Sequence, residues 1–313
     1  MSDLAVVIPA IRARFLRAAL ASLAAQSDTH FVVVVGDDAS PDDLGKICAE
    51  FAHCLDLRYH RFNANLGAAD LVAQWTRTLE LCENEWIWMI GDDDELEPGC
   101  VEAFREARKC DAQATLFHFG VRRIDAEGRV LATETSFPPR LSARSFLLGR
   151  LSMSLASYAP DYVFSRAAFR RSGGFPSVPL AWCADDAMWI QLAGKHGIVS
   201  IDGPRVRWRM SGSNLSSPNL AHAAAKVEAH TRFLEWIAAT LPWLPKQPGD
   251  PDDGAIRKIA AWWYYQQAEH TGFRFSPANA WSLGRRLARA GFCKLPEALA
   301  RAARARWNMR LLP

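Results

Sequence analysis

The sequence predicts an α/β protein built on a doubly wound, mostly parallel sheet with helices on both faces. Two observations support this fold class. Short, continuously apolar runs alternate with helical segments along the first half of the chain. Acidic clusters directly follow two of these runs, as expected for loops at the carboxyl edge of a parallel sheet. Beyond residue 218 the pattern becomes helical throughout, which predicts an α-helical extension.

The first hundred residues alternate between strands and helices. Each predicted strand is a short apolar run that can be buried on both faces of a parallel sheet. The strands are expected near residues 4–9, 31–35, 57–62 and 86–90, with Pro9 ending the first. The helices between them are expected over residues 12–26, 41–51 and 66–81.

The pattern then continues with a helix to about residue 109, a strand near 114–119 and a hairpin over 122–133 that turns at Glu127-Gly128. Helices follow around residues 145–151, 166–171 and from 184, with strands at 162–164 and 198–210. We therefore expect an α/β domain over residues 1–218 and a helical region over residues 219–313. A proline-containing loop over residues 242–253 divides that helical region.

The composition is that of an ordinary globular protein, with half of the 313 residues hydrophobic and under a quarter charged. The seven cysteines are odd in number and lack CxxC spacing, which favours free thiols in a reducing cytoplasm. The N-terminus has no basic flank before a long hydrophobic region, so we expect no signal peptide. No apolar run reaches the length of a membrane-spanning helix.

The net charge of +3 is distributed unevenly. Residues 281–313 carry +7, so the rest of the chain carries −4, which is not typical of a nucleic-acid-binding domain. Within this tail, apolar residues recur at four-residue spacing, at Leu295, Leu299, Ala303, Trp307 and Leu311. Two interpretations stay open: an amphipathic helix packed on the protein with solvated arginines, or an interfacial helix in peripheral contact with anionic membrane lipid.

Three consecutive aspartates, Asp92, Asp93 and Asp94, follow the fourth predicted strand. Adjacent carboxylates repel one another unless a cation or several N–H donors offset their charge. Mg²⁺ or Mn²⁺ suits this cluster, because hard cations bind carboxylate oxygens together with substrate phosphates. The alternative is a solvated acidic turn at the start of the next helix. The position at the end of a strand favours the metal site.

Two acidic pairs accompany this cluster. Asp37-Asp38 follows the second strand, where a carboxylate can accept hydrogen bonds from a nucleobase or a ribose; the alternative is a turn that caps a helix. Asp185-Asp186 precedes another helix, and one of its carboxylates is a candidate base for an acceptor hydroxyl. A helix-capping role is equally compatible with that second pair.

Taken in order, these segments resemble the family 2 glycosyltransferases, which have the GT-A fold and include enzymes of bacterial cell-surface polysaccharide synthesis. The matching segments are residues 7–9, 21–27, 35–40, 63–67, 88–99, 164–166 and 173–175, followed by the acidic pair at 185–186. Together they extend over about residues 4–217. Because these motifs occur in the family's order, the resemblance is more specific than any single motif.

The resemblance implies a role for each matching residue. The donor nucleotide would be bound by Pro9, Asp37, Asp38, Asn65, Gly67, Asp92 and Arg209. Counting back from Pro98, Asp93 falls on the metal-binding carboxylate, and Asp94 is a second metal ligand. Asp185 is the first choice for the catalytic base, with Asp186 as its competitor.

Two departures from the family pattern concern this site. Gly91 stands where the more common Asp-x-Asp motif has its first aspartate, and Ser211 stands near the place of the usual histidine. We therefore expect no metal ligand from the loop around Ser211. Arg209 is a candidate phosphate contact, and a structural arginine is the alternative.

The resemblance implies a glycosyltransferase that uses a nucleotide-diphosphate sugar, Mg²⁺ or Mn²⁺, and a glycan or lipid-linked acceptor, by single displacement with inversion. It would act in the cytoplasm, in possible peripheral contact with the inner face of the membrane. One alternative is a degenerate GT-A domain that serves as a binding scaffold. Another is a sugar-phosphate nucleotidyltransferase, although residues 9–14 lack the glycine-rich phosphate loop of that class.

Overall fold

The computed structural model describes residues 2–134, 136–212, 215, 220–271 and 276–292. The first elements are β1 (Leu4–Ala10), α1 (Ala13–Ala24), β2 (Phe31–Asp37), α2 (Leu44–Phe51), β3 (Asp56–Arg61), α3 (Leu71–Leu79), β4 (Trp86–Met89), β5 (Glu95–Leu96) and α4 (Cys100–Cys110). They are followed by β6 (Leu116–Ile124), β7 (Val130–Thr133), β8 (Arg140–Leu141), α5 (Ala143–Leu151), β9 (Tyr162–Ser165), α6 (Arg166–Arg171), α7 (Ala184–Ala193) and β10 (Ile198–Arg209). The helical extension contains α8 (Ala223–Thr240), α9 (Asp253–His270) and α10 (Pro277–Arg289).

The strands form one sheet in the order β3-β2-β1-β4-β9-β6-β10-β5, with β7 beside β6 and β8 beside β10. The ladders from β3 to β4 are parallel. Strand β9 lies antiparallel between β4 and β6, and β6 and β10 are parallel. The carboxyl ends of β1, β2 and β4 therefore meet at one edge, where the acidic clusters follow them.

Side chains on the two faces of the sheet form two hydrophobic cores. Ala5 and Val7 of β1 face one side, with apolar residues of α3, α5 and α7. Leu4, Val6 and Ile8 face the other, with residues of α1, α2 and α4. Because successive strand residues point to opposite faces, a continuously apolar strand requires helices on both sides. This arrangement confirms the predicted α/β fold class.

The helical extension packs against the first of these cores. Phe233 and Ile237 of α8 and Tyr264 of α9 are buried in the same cluster as α5 and α7. The boundary between residues 218 and 219 stays a prediction, and the predicted basic helix from residue 295 lies outside the described residues. No helix in the described part of the chain is long and apolar enough to cross a membrane.

Several element boundaries differ from those predicted. Pro9 does not end β1 but lies within it, in register with Gly36 of β2. Helix α3 begins at Leu71 rather than near residue 66, because the Asp70 side chain caps it by accepting a 2.9 Å hydrogen bond from Ala73 N–H. The six cysteines within the described ranges are free thiols, as expected.

Candidate active site

A cleft of about 740 Å³ opens at the carboxyl edge of the sheet. Its lining includes Pro9 in β1, the acidic turn after β4 and the start of α7. Segment 150–160 and side chains from α8 and α9 complete the lining. The cleft thus brings Pro9, the three aspartates at 92–94 and the pair at 185–186 into one site.

The three aspartates have different partners. Asp92 Oδ2 accepts hydrogen bonds from the backbone N–H groups of Ile11 at 2.8 Å and Arg12 at 2.9 Å. It therefore fixes the loop between β1 and α1 against the acidic turn. Asp94 is buried and accepts from the backbone N–H groups of Gly91 and Arg209, each at 3.1 Å. Asp93 lies between them and accepts a hydrogen bond from the Ser211 hydroxyl.

The electrostatics of this turn suit a cation. Burial raises the pKa of all three carboxyls, and the negative charge of Asp93 raises the pKa of Asp94 further. The nearby N–H and O–H donors oppose this shift without reversing it. A divalent cation would stabilise the charged form of these carboxyls, and Asp93 and Asp94 are the residues that would hold it. Within the described residues, no three His, Cys, Asp or Glu side chains form a ready-made metal cage.

Gly91 is explained by the two carboxylates beside it. A Cβ atom at this position would lie 2.8 Å from Asp94 Oδ2 and 2.9 Å from Asp93 Oδ1. Any side chain at position 91 would therefore push these carboxylates away. The departure from the more common Asp-x-Asp motif is a steric requirement of the turn in this chain.

The pair Asp37-Asp38 has structural partners at the end of β2. Asp37 is completely buried, and its Oδ2 accepts hydrogen bonds from the Tyr59 hydroxyl at 2.5 Å and from Arg61 at 2.7 Å. Its Oδ1 accepts a hydrogen bond from Ser40 N–H at 2.7 Å. This geometry is that of a structural turn, which is the alternative to nucleotide binding considered for this pair.

Asp38 organises the loop at residues 63–67. Its carboxylate accepts hydrogen bonds from Leu66 N–H at 2.7 Å and Gly67 N–H at 2.9 Å, and it pairs with Arg77 at 2.5 Å. A Cβ at Gly67 would lie 2.7 Å from Asp38 Oδ2, so the close approach requires glycine. Asn65 Oδ1 accepts a hydrogen bond from Ala68 N–H at 2.9 Å. These residues lie around the loop beside the cleft rather than among its lining residues.

Asp185 and Asp186 lie at the start of α7 in different environments. Asp186 is buried and forms a bidentate ion pair with Arg150, at 2.8 and 3.1 Å. Burial raises the pKa of Asp185 to about 7, and repulsion from Asp186 adds to the shift while Arg150 opposes it. A carboxylate with a pKa near neutrality that lines a cleft is suited to take and release a proton.

The backbone before α7 is strained. Leu180, Ala181 and Cys183 have φ values of 59°, 52° and 66°, in the left-handed region that non-glycine residues rarely adopt. All three residues line the cleft directly before Asp185. Strain of this kind persists where the surrounding packing enforces it, and it concentrates at functional sites.

Arg209 has structural partners around the acidic turn. Its side chain is only 3% exposed, its Nε donates to the Asp93 carbonyl at 2.9 Å and its Nη1 donates to the Asp125 carbonyl at 2.9 Å. Its Nη2 contacts Glu95. The guanidinium is thus directed into the protein, where it contacts the acidic turn. These contacts fit the structural alternative considered for Arg209, and the phosphate contact stays a prediction.

Arg150 and Arg77 are functional candidates that sequence reasoning missed. Arg150 lies in a leucine-rich helix and acquires its role only when α5 packs beside α7. Arg77 is 39 residues away from Asp38 in the sequence. No local motif surrounds either arginine, and only long-range packing brings each to its carboxylate.

Comparisons with known proteins agree with this geometry. Residues 5–172, more than half of the chain, match the family profile described as Glycosyl transferase family 2. None of the curated protein sequences matches the chain significantly.

Several solved structures share its fold. S. aureus TarS 1–349 in complex with UDP-GlcNAc superposes with a TM-score of 0.70 at 16% identity, covering 98% of this chain and 89% of that one. The longer S. aureus TarS chain gives a TM-score of 0.65 at 16% identity, and 54% of its length is covered by 98% of this chain.

The mannosyltransferase PcManGT from Pyrobaculum calidifontis, in complex with GDP-Man and Mn²⁺, gives a TM-score of 0.52 at 17% identity, covering 97% of this chain and 87% of that one. At such low identities these likenesses establish the fold, which is GT-A, while the profile match establishes the family. The chain therefore belongs to glycosyl transferase family 2 and is a glycosyltransferase.

Proposed function

We propose that this enzyme transfers a sugar from a nucleoside-diphosphate donor to an acceptor hydroxyl by a metal-assisted single displacement with inversion. One observation carries the proposal: a single cleft is lined both by three adjacent aspartates, each with a pKa raised by burial, and by a carboxyl whose pKa is about 7. These are the two groups that such a reaction needs, one for the leaving diphosphate and one for the attacking hydroxyl.

The donor would lie along the loops after β1, β2 and β4. Asp93 and Asp94 are the proposed metal ligands, and Asp92 holds the loop between β1 and α1 in place. A bound Mg²⁺ or Mn²⁺ would offset the charge of the diphosphate as it leaves. Asp38, through its hydrogen bonds to the loop at 63–67, would shape the nucleoside end of the site.

Asp185 is the proposed catalytic base. Its carboxylate accepts the proton of the acceptor hydroxyl, whose oxygen forms a bond to the anomeric carbon. The bond from that carbon to the diphosphate oxygen breaks on the opposite face, so the configuration inverts and the nucleoside diphosphate leaves. Asp186 is occupied by Arg150 and would instead hold Asp185 in place at the start of α7.

The complexes of the solved structures support this donor class. TarS was crystallised with UDP-GlcNAc and with UDP, and PcManGT with GDP-Man and Mn²⁺. By analogy we propose a nucleotide sugar and a divalent cation for this chain. A role in polysaccharide synthesis in the cytoplasm, on a glycan or lipid-linked acceptor, is the corresponding setting.

A thermal-shift panel of UDP, GDP, ADP, CDP and dTDP, each with Mn²⁺ or with EDTA, tests the proposal. At about a hundred times its Kd, a ligand stabilises a protein by about 2.7 kcal/mol, so one base should raise the Tm of the native protein by several degrees only with Mn²⁺. Asp93→Asn should lose this response, and the control Asp43→Asn, at the start of α2, should keep it.

A shift that persists in EDTA or in Asp93→Asn would contradict the proposed metal site. No shift across the whole panel, with folded protein, would favour the binding-scaffold alternative.

A further inference from the structure

The helical extension exposes large aromatic rings that the α/β domain does not. Trp243, Trp262 and Trp281 are 84%, 39% and 48% exposed, and all three lie beyond residue 218. The tryptophans of residues 1–218 are all at least partly buried. A concentration of exposed apolar rings in one region is typical of a binding surface.

Helix α10 has one buried side, which packs on α8. Leu287 is buried in the same core as Phe233 of α8. Arg286 donates hydrogen bonds from Nη1 to Glu228 and from Nε to Glu235, each at 2.7 Å, and both glutamates belong to α8. These contacts determine which side of α10 is turned away from the protein.

The outward side of α10 carries Trp281, Arg285 and Arg289, and all three are exposed. We call these three residues the α10 face. Side chains at four-residue spacing lie along one side of a helix, so the indole and the two guanidinium groups form one row. A tryptophan in line with basic residues is typical of helices that lie in the membrane interface.

The positive charge of the α10 face is not compensated by the carboxylates of α8. Glu228 pairs with Arg232 and Arg286, and Glu235 pairs with Arg286. These two glutamates and two arginines cancel one another. Among the residues that the structure describes, no carboxylate forms an ion pair with either arginine of the α10 face.

A groove of about 780 Å³ extends this positive charge toward α9. Arg257 of α9 and Arg289 both line the groove, and Lys258 is exposed beside Arg257. The acidic residue nearest to them along α9 is Asp252, whose carboxylate accepts a 2.7 Å hydrogen bond from a backbone N–H group at the start of that helix. The helix dipole already stabilises a negative charge at that position.

The sequence that continues from this surface is also basic. Arg257 Nη1 donates a 2.8 Å hydrogen bond to the Ala290 carbonyl, and its guanidinium lies 5.6 Å from the centroid of the Phe292 ring. Phe292, the last residue that the structure describes, is therefore beside the groove. Residues 293–313 contain five lysine or arginine residues and one acid, Glu297.

From these observations we infer that the α10 face docks onto an anionic lipid bilayer. The two arginines would bind lipid phosphate groups, and Trp281 would lie at the level of the head groups. A stable protein interface needs an apolar core larger than one indole, so the α10 face suits a bilayer better than an acidic protein.

Docking would also bring the cleft near the membrane. Helix α8, on which α10 packs, contributes Phe233 to the lining of the cleft. The α10 face and the cleft are thus on elements that contact each other directly. The inference does not depend on the proposed donor or base, and it adds a site of attachment to them.

Co-sedimentation of the full chain with lipid vesicles tests the inference. Vesicles of phosphatidylcholine with about 30% phosphatidylglycerol should bind the protein at least about tenfold more tightly than vesicles of phosphatidylcholine alone. Higher salt should weaken this binding, because it screens the charges. Glycerophosphoglycerol, the soluble head group, should not displace the protein at the same phosphate concentration.

Two variants and one control assign the binding to the α10 face. Arg285→Gln/Arg289→Gln should weaken binding about thirtyfold, because each arginine near an anionic surface contributes about fivefold. Trp281→Ala should weaken it about tenfold. Arg170→Gln/Arg171→Gln removes the same charge from two exposed arginines of α6 and should bind as the native protein does.

Several results would overturn the inference. These are equal binding to both kinds of vesicle, equal binding of the α10 double variant and its α6 control, and unchanged binding of Trp281→Ala. Displacement by the soluble head group would show a site for a free anion instead. The vesicle comparison needs no variant, so it decides even if a variant fails to fold. The Mn²⁺-dependent thermal shift should be the same in all variants, so failure of this inference leaves the proposed function standing.

Discussion

Replacing Asp185 by asparagine should abolish glycosyl transfer and at the same time stabilise the folded protein. The two effects share one cause. The carboxyl is half-buried beside Asp186, and desolvation together with the charge of Asp186 raises its pKa to about 7 from the ordinary value of 3.8. The folded protein therefore destabilises the charged form of Asp185, which is the form that the proposed reaction needs. Asparagine has nearly the same shape without the charge.

The pH dependence gives the magnitude. A pKa that is higher in the folded than in the unfolded state means that the folded state binds the proton more tightly, so stability falls as the pH rises from about 4 to about 7. Each pH unit in that window is worth about 1.4 kcal/mol. Between about pH 5 and about pH 8, Asp185→Asn should therefore gain roughly 2–3 kcal/mol over the native protein, or about 3–5 °C in Tm.

Denaturant titration at both pH values, together with release of nucleoside diphosphate from the donor, measures both effects. Activity should fall at least about a hundredfold, the usual contribution of a positioned base. Asp37→Asn is the matched control: its amide can accept hydrogen bonds through one oxygen only, so it cannot keep both the bond from Ser40 and those from Tyr59 and Arg61, and it should destabilise the protein at both pH values. A variant Asp185→Asn that is less stable than the native protein at about pH 8, or whose advantage is the same at both pH values, refutes the reasoning.

Three further predictions follow from the same site. Arg150→Met leaves Asp186 buried without its counter-ion and should lower the free energy of unfolding by about 3 kcal/mol. The double variant Arg150→Met/Asp186→Asn should regain most of that loss. Equal stability of the single and the double variant in urea would contradict this. The transfer rate should rise with pH and level off above about 7 as Asp185 loses its proton, whereas a flat profile would point to another base. Gly91→Ala should displace the neighbouring Asp93 carboxylate and weaken the effect of Mn²⁺ on nucleotide binding about tenfold, measured by calorimetry, and unchanged Mn²⁺ dependence would argue against Asp93.

The sequence alone was sufficient to predict the alternation of strands and helices and the position of the acidic clusters. The apolar runs at β1 and β2 and the aspartates after β4 are local patterns, and local patterns predict strands and the loops that follow them. The order of motifs then identified the family. The resemblance also made Asp185 the first choice for the base, and the choice between Asp185 and Asp186 stays a prediction that the contacts of Arg150 now support.

Long-range packing accounts for the rest. Arg209 ends β10 near the site and is therefore a reasonable candidate for a phosphate contact, whereas its hydrogen bonds to the carbonyl groups of Asp93 and Asp125 depend on long-range packing. The capping of α3 by Asp70 shortened a helix that composition alone extended toward residue 66. The contact of Trp182 with His230, 48 residues away, also has no local signal. Each of these features depends on which elements become neighbours.

The central claim is that one cleft contains two groups with separate roles, a donor-binding turn at Asp93 and a base at Asp185. Nucleotide affinity in Mn²⁺ and the transfer rate, measured in parallel for Asp93→Asn and Asp185→Asn, test it most directly. We predict that Asp93→Asn loses at least about tenfold in Mn²⁺-dependent nucleotide affinity, whereas Asp185→Asn binds the nucleotide normally and loses transfer. If Asp185→Asn loses nucleotide binding as well, or Asp93→Asn retains it, the division is contradicted.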